Sequence, residues 1–525
     1  MALSVVTNFT SLLAQNRINE TNMSLQTTLQ RLATGKRINS PADDAAGYAI
    51  AARQTRDILS FGQAARNAND GISVVQTASS AIDTNLSSLQ RMRVLALQSL
   101  NDTNSSSDRV NLSLEFKQLS ASITETAKST KFNGQSLLDG SFAGKQFQVG
   151  ITTTETISMS FADSRATAIG DYKTTAVNVG AAVFDFEMAA TALGTAALGT
   201  GQDVDNGVLA GSALTVVGHL GTLSLDDAAF GAAASSFGLA TATTTSAGMS
   251  AAVIAKAVSD SSGDHGVTAT GRTEVTLSGL TAAGDVTFGL GSGTGSVAAD
   301  YNFATISSTI ADTSDLSALA QAINDTSGTH GVTAELSGTD KGSMTLVSEN
   351  GQNISLAVFD SSAAGTMTLT EQDGTATSVL QDAGGNDSFI ATGIVEYHSS
   401  KAFTLQSAVA DIGTVVADAS GFKSVADSDI KTTAEAKSAI FALDQALNRL
   451  TDSQANNGAI ENRLNVVISN LENQQLNTTN SRGRIEDADF AYETANLSKL
   501  QILSQVGTAM LAQANQIPAA VLSLI

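Results

Sequence analysis

The chain has 525 residues, a formal net charge of −22, no cysteine and no tryptophan. Its length allows several domains, and 42% hydrophobic residues suffice for sizeable cores. The acidity and the lack of a basic stripe argue against a nucleic-acid partner. The missing cysteines remove disulfides, thiolate zinc sites and cysteine nucleophiles, and no run approaches the roughly 18 apolar residues of a membrane span. Charge is uneven: from Thr174 to Ser400 the basic residues are Lys256, Arg272 and Lys341, whereas the first 150 residues carry slightly more basic than acidic ones. The opening "MALSVVTNFTSLLAQNRINE" lacks a basic n-region followed by an apolar h-region. A Sec signal is therefore not expected, and an extracellular protein of this kind would leave by another route.

About the first 135 residues read as helices. Ile18, Leu25 and Leu32 stand seven apart, with Leu29 between the last two; Val75, Ile82, Leu89 and Ala96 repeat that spacing; Leu112, Phe116, Leu119 and Ile123 follow i, i+4, i+7, i+11. A recurrence near 3.5 residues gives each helix one narrow apolar seam suited to another helix. Between the first two helices stands "RLATGKRINSPADDAAG", which holds one of the chain's two prolines. Gly35 suits the C′ position of a helix ending near Thr34, and Lys36 and Arg37 sit where the helix dipole favours cations. Ser40 reads as an N-cap, Pro41 as N1, Asp43 as N3 of a capping-box-like arrangement, and Asp44 as a second acid in the new first turn. Two readings fit this joint: a spoke between an inner rod and an outer bundle, or a routine interhelical turn.

From about 140 to 425 the texture turns to Ala, Gly, Ser and Thr. "FQVGITTTETISMSF", "EVTLSGL", "DVTFGL", "SMTLVS" and "NISLAVF" are strand signals bounded by Gly, Asp and Asn. "IAKAVSDSSGDHGVTA" from Ile254 and "LAQAINDTSGTHGVTA" from Leu319 are self-similar. Each leads a short helix through Ser-Gly and His-Gly into a strand, with a second strand ("EVTLSG", "SMTLVS") after it. Two tandem α+β units are expected, near 212–279 and 280–360, each burying one helix on its own small sheet.

The last hundred residues are helical again. Ile440, Leu443, Leu447 and Leu450 are a/d positions, and Ile468 and Leu471 resume the register after a polar stretch. Leu500, Gly507, Ala514 and Val521 form one heptad row, and Leu503, Met510, Ile517 and Leu524 the other. Small residues in the first row admit a close neighbour. The Ile517-Pro518 pair predicts a kink or fraying in the last turns. The economical packing brings both chain ends together with the middle looped out. The expected fold is α+β and multidomain: terminal helices paired in a coiled-coil-like rod and bundle, with an inserted β-rich outer region carrying the two repeated units.

The stretches "LQRLATGKRINSPADDAAGYAIAAR", "RNANDGISVVQTASSAI", "LQRMRVLALQS" and "KFNGQSLLDG" resemble the start of bacterial flagellin. "NRLNVVISNLEN", "SRGRIEDADFAYETANLSKLQIL" and "AMLAQANQIPAAVLSLI" resemble its end. Together they cover about the first 150 and last 100 residues. The middle resembles that family's variable outer domains, and its doubled unit looks like a small repeat inserted in some flagellins. The resemblance implies a non-enzymatic subunit of the extracellular flagellar filament, serving motility. It implies export by the flagellar type III apparatus with a chaperone, addition beneath a cap, and contact with hook–filament junction proteins. Terminal segments disordered in the monomer would fold on assembly. The implied layout is 1–42 and 481–525 as inner-tube helices, 43–175 and 401–480 as outer-tube bundle with a β-hairpin, and 176–400 as solvent-exposed outer domains. Filament-core packing would fall to Ile18, Leu25, Leu29, Leu32, Leu500, Leu503, Met510, Ile517, Val521 and Leu524. A junction protein, or a flagellin frame displaying an adhesive or enzymatic outer domain, are the alternatives.

The resemblance also implies recognition by host flagellin receptors. The vertebrate Toll-like receptor would meet Arg91, Leu95 and Glu115, with Val94 standing where the family often has Glu. A plant sensor would read Gln30 to Ala51, where Lys36 and Asp43-Asp44 fit and Pro41 and Tyr48 differ. No catalytic, cofactor or metal site is expected. None of His219, His265, His330 and His398 begins a His-Glu-x-x-His motif. "GLGSGTGSV" from Gly289 lacks the Lys-Ser/Thr of a phosphate loop and reads as an ordinary loop. Exposed Ser and Thr of the middle are candidate O-glycan acceptors.

Overall fold

The computed structural model describes residues 8–177, 182–184, 214–225, 250–294, 301–337, 341–372, 377–381, 388–407, 418–419 and 421–522. Its helices are α1 (Phe9–Thr34), α2 (Ala45–Ser99), α3 (Ser106–Ser129), α4 (Ala251–Asp260), α5 (Ser262–His265), α6 (Ser317–His330), α7 (Thr433–Glu486) and α8 (Phe490–Leu522). Two compact units emerge: Met1–Ser80 with Lys131–Ala162 and Gln454–Ile525, and Ala81–Thr130 with Asp163–Ser453.

In the first unit α1 packs antiparallel on α8, so the two terminal helices meet. Asn8 caps α1, its Oδ1 accepting from Ser11 N–H at 3.1 Å. Gly35 ends the helix at φ 70°, a left-handed conformation that glycine adopts without strain. The early part of α2 meets the late part of α7 through Phe61, Ala64 and Leu471. "FQVGITTTETISMSF" forms the hairpin Lys145–Gln148 with Thr156–Met159. Where the hairpin reaches α2, a Cβ on Gly71 would lie 2.9 Å from Met159 Cε, so glycine permits the approach. Helix α7 runs unbroken to Glu486, which places the expected 480/481 boundary inside a helix. The break comes at Asp487–Asp489, where Asp489 Oδ1 accepts from the N–H groups of Ala491 and Tyr492 and starts α8. Helix α8 continues to Leu522, past the Ile517-Pro518 pair at which a kink or fraying is expected.

In the second unit the heptad rows face inward, with Leu112, Leu119, Ile440 and Leu447 half-buried. Ile82, Leu89, Met92 and Ala96 of α2, Phe116 and Ile123 of α3, and Leu443 and Leu450 of α7 are fully enclosed. Asp429 ties the helices together. It accepts from Ser113 Oγ at 2.6 Å and pairs with Lys117 at 3.0 Å and Lys431 at 2.8 Å. Partial burial pushes its carboxyl up, but the hydrogen bonds from Lys431, Ser113 and Lys117 outweigh that and hold it far below the usual carboxylate range.

The β-rich part corrects the sequence reading in three places. First, the repeated units do not own separate sheets. The strand Val267–Ser278 of the first copy pairs with Ser343–Ser348 of the second, inside one larger sheet. Second, "EVTLSG" is not a second strand of the first copy, because Val267–Ser278 is continuous. Third, Gly289–Gly293 is no loop: it lies in the strand Gly284–Gly293, paired on both sides by Tyr301–Ile310 and Asn353–Ser361. A Cβ on Gly291 would stand 2.7 Å from the Phe303 ring, so the glycines make room for a neighbouring aromatic. The helices are where the repeat placed them. Helix α6 sits in a core with Phe288, Leu356 and Phe389. Helix α4 sits in another with Val267, Tyr397 and Leu405.

The two copies share a joint built from different residues. In the first, Ala269 N–H donates to Ser259 Oγ at 2.9 Å; in the second, Ala334 N–H donates to Asn324 Oδ1 at 2.8 Å. His265 and His330, matched and buried, each use Nδ1 to accept the N–H two residues on, from Val267 at 3.2 Å and from Val332 at 3.1 Å. That leaves Nε2–H to donate to Ser261 Oγ at 3.4 Å and to Thr326 Oγ1 at 3.1 Å. Both rings are therefore neutral helix-end caps. Burial pushes the pKa of both below the usual histidine value, with nearby Asp264 opposing this for His265. A depressed folded pKa contributes stability above the unfolded value of about 6.5 that is lost as pH falls below it. Thermal melts of the full chain should thus weaken between pH 7 and pH 5 in the β-rich signal. The double variant His265→Asn/His330→Asn, which keeps an acceptor but cannot titrate, should flatten that dependence. An unchanged slope in the variant would refute the assignment.

Candidate assembly surface

The α1–α8 pair presents the surface with the largest mismatch between chemistry and environment. Both α8 heptad rows are apolar, but the described pair shelters only one. Leu500, Gly507 and Ala514 turn towards α1, while Leu503 is 45% and Met510 60% exposed, with Ile502 and Val506 beside them. On α1, Ile18, Leu25 and Leu32 are half-buried, and Leu12, Leu13 and Leu29 are exposed. Leu29 thus stands outside the intrachain seam. Ile517 and Val521 belong to α8, but their side chains lie outside the described residues, as does all of Leu524.

Close approach is set by Gly507, where a Cβ would fall 3.0 Å from Ile18 Cγ1. At one end Asn8 Nδ2 donates to Ala514 O at 2.8 Å and Ser11 Oγ to Asn515 Oδ1 at 2.7 Å. At the other Arg31 Nη1 meets Glu493 Oε1 at 3.2 Å. Beside the seam runs an open groove of about 480 Å³, lined by Leu13, Ala14, Ile18, Leu503, Val506 and Met510. Apolar area left in water on a paired helix is an unfilled binding face, worth roughly 25 cal/mol per Å² once covered.

The joint differs in detail from its sequence reading. Helix α2 starts at Ala45, and its cap is Asp44, whose Oδ1 accepts from Gly47 N–H at 2.9 Å. Ser40 is not that N-cap. Ser40, Pro41 and Asp43 close a separate turn, with Asp43 N–H donating to Ser40 O at 3.1 Å. Asp43 Oδ2 accepts from the N–H groups of Ser40 and Asn39. Those bonds hold its carboxyl below the usual range. The partner of the joint was not legible in the sequence. Arg37 N–H donates to Glu486 O at 2.6 Å and Ala488 N–H to Gly35 O at 3.0 Å, while Lys36 Nζ reaches Glu486 Oε1 at 2.5 Å. The 35–38 and 485–488 segments therefore close as a two-stranded clasp. The run Asp487-Ala488-Asp489 was the available signal, a cap-rich break matching the one at Asp43-Asp44.

Comparison with known proteins bears on what this surface is for. The family model for the bacterial flagellin N-terminal helical region matches residues 5–143, that for the C-terminal helical region residues 440–525, and that for the flagellin hook IN motif residues 285–350. A B-type flagellin of Pseudomonas aeruginosa is 36% identical, with both chains covered in full. This chain belongs to the bacterial flagellins. A flagellin of Salmonella rubislaw is 32% identical, again over the whole of both chains. The solved structure of FliC from Burkholderia pseudomallei aligns at 17% identity and a TM-score of 0.27, covering 75% of this chain and 99% of that one, and carries no argument here. The flagellin is accordingly a structural subunit of the flagellar filament and not an enzyme.

Of the three residues expected at the immune-receptor surface, the flagellin brings two together in the open. Arg91 and Glu115 join across α2 and α3 at 2.7 Å, both about half exposed. Leu95 is fully buried in the subunit, as are Met92, Ala96 and Ser99 around it. The exposed apolar neighbours are Val94 and Leu114 instead. Among the described residues no group of His, Asp and Glu is arranged to hold a metal ion, and no helix is long and apolar enough to cross a membrane.

Proposed function

We propose that this flagellin leaves the cell through the flagellar type III apparatus, escorted by an export chaperone, and is added beneath a cap at the far end of an extracellular filament that drives swimming. In this reading α1 and α8 line an inner tube, the helices beyond the clasp an outer tube, and the β-rich part the solvent-facing exterior. Junction proteins would hold the filament base. Host flagellin receptors would read the Arg91–Glu115 surface, and a plant sensor the joint between Gln30 and Ala51.

The observation that carries the reading is the half-covered α1–α8 pair. Its free row of Leu503, Val506 and Met510 gives each subunit apolar surface that one chain cannot bury. Ordering terminal arms costs about 1–2 kcal/mol per residue in backbone entropy. Several neighbours together offset that, so growth on an existing end is favoured over spontaneous nucleation, and contacts that do not close on themselves give open helical filaments. The test is elongation of filament seeds by purified protein, followed by electron microscopy. Gly507→Leu, which forces α1 and α8 apart, should slow elongation at least about tenfold, because overpacking of this kind costs roughly 1–3 kcal/mol per subunit. Growth of the variant at the wild-type rate would count against the reading.

A further inference from the structure

The α1–α8 seam is nearly periodic, and a nearly periodic seam can slip. Three contacts fix an antiparallel register: Ser11 with Asn515, Ile18 with Gly507, Arg31 with Glu493. Sliding by one heptad, about 10 Å along the axis, would set Ile18 against Ala514, still a small residue, or in the other direction against Leu500, where the helices must spread but the contact stays apolar. The connection 35–44 can supply that length once its clasp to 485–488 opens. Something other than the apolar rows must therefore select the register.

We propose that Arg31 and Glu493 are the register key of the flagellin's terminal helix pair. Glu493 is 3% exposed, on the α8 face turned to α1. Among the described residues its Oε1 has one ionic partner, Arg31, while its Oε2 and Arg31 Nε have no hydrogen-bond partner. The carboxylate is thus taken out of water against a single cation. The other charged pair on α1, Arg17–Glu20, is exposed and lies within one helix, so it says nothing about register. Slipping one way sets Ser24 level with Glu493, and slipping the other sets Arg31 level with Leu500. Either leaves a buried carboxylate without its counter-charge. A buried charge pair whose separation is far more costly than its formation is rewarding acts as a selector between otherwise similar packings. The polar contacts of Asn8 and Ser11 hold the opposite end, but they are neutral and their loss can be made good by water.

The inference deepens the filament reading and rests on it, since the terminal helices are to be read out in assembled subunits. The chain contains no cysteine, so engineered pairs report without background. Full-length variants would be elongated on seeds, oxidised, and scored for intrachain disulfides, with isotope-mixed subunits to separate those from interchain links. Ser11→Cys/Asn515→Cys reports the native register. Ser11→Cys/Thr508→Cys and Ile18→Cys/Ala514→Cys report slips of one heptad in the two directions. In the otherwise wild-type background only the native pair should close. With Arg31→Gln or Glu493→Gln the native yield should fall several-fold and one slipped pair should rise. The exchange Arg31→Glu/Glu493→Arg should restore the native pattern. Native closure unchanged in both single variants overturns the proposal. So does a fall in native closure with no gain at either slipped pair, which means melting and not slippage. Failure of every background to elongate, wild type included, would instead strike at the filament reading.

Discussion

A flagellin lacking residues 490–525 will remain soluble and keep its β-rich core, but it will not elongate filament seeds. Deleting α8 uncovers the half-buried seam of Ile18, Leu25 and Leu32 and removes the acceptors Ala514 O and Asn515 Oδ1 to which Asn8 and Ser11 donate. Helix α1 has 26 residues and would stand alone. A lone helix of mixed composition is marginal in water, because nucleation is unfavourable and its stability comes from packing. The truncation thus removes both helices of the assembly surface. The described cores of the second unit are built from α2, α3, α4, α6, α7 and the strands. The measurement is seed elongation by light scattering and microscopy, beside the far-ultraviolet melt of the truncated chain. Removing residues 176–400 should, in contrast, spare elongation. A tail-less chain that polymerises as fast as the intact one would be incompatible with the role given to α1 and α8.

Phe116→Ala should destabilise the helical part of the second unit by about 3–5 kcal/mol, the range for deleting a buried aromatic. Phe116 is fully enclosed in α3, one turn of the heptad from Ser113, whose hydroxyl binds Asp429. The helix cannot collapse freely into the space, because Asp429 also holds Lys117 and Lys431 and so pins the turn on either side. The capping box at Ser105 and Asp108 fixes the start of the helix. A cavity that the surroundings cannot close keeps most of its penalty. In a unit of this size the helical melt should drop by the order of 10 °C. Leu114→Ala, on the exposed face of the same helix, should move it by no more than a degree or two. Equal shifts for the two variants would show that the heptad assignment of α3 is wrong.

The contrast between Phe116 and Leu95 shows how far the pattern could be read. The spacing of Leu112, Phe116, Leu119 and Ile123 was enough to bury α3, because period alone decides which face of a helix is apolar. Leu95, expected at a receptor surface by family resemblance, stands one place before the heptad row of Leu89 and Ala96, a flank whose burial the spacing alone does not decide; within the subunit it is buried. The repeats divided likewise. Self-similarity located α4 and α6 and paired His265 with His330, since a local motif forms its own hydrogen bonds. It could not say that the two copies share a sheet.

The sequence by itself determined the terminal helices, their heptad rows, the break after Thr34, the β-rich character of the middle and the family, because each is encoded in residues near one another along the chain. Only the tertiary structure decided that 35–38 clasps 485–488, that Asp44 and not Ser40 caps α2, that Gly289–Gly293 is a central strand, and that Glu493 finds Arg31. Those outcomes depend on pairings between residues far apart in sequence. Period and propensity are blind to them, since several distant partners would satisfy the same backbone donors, glycines and charges equally well.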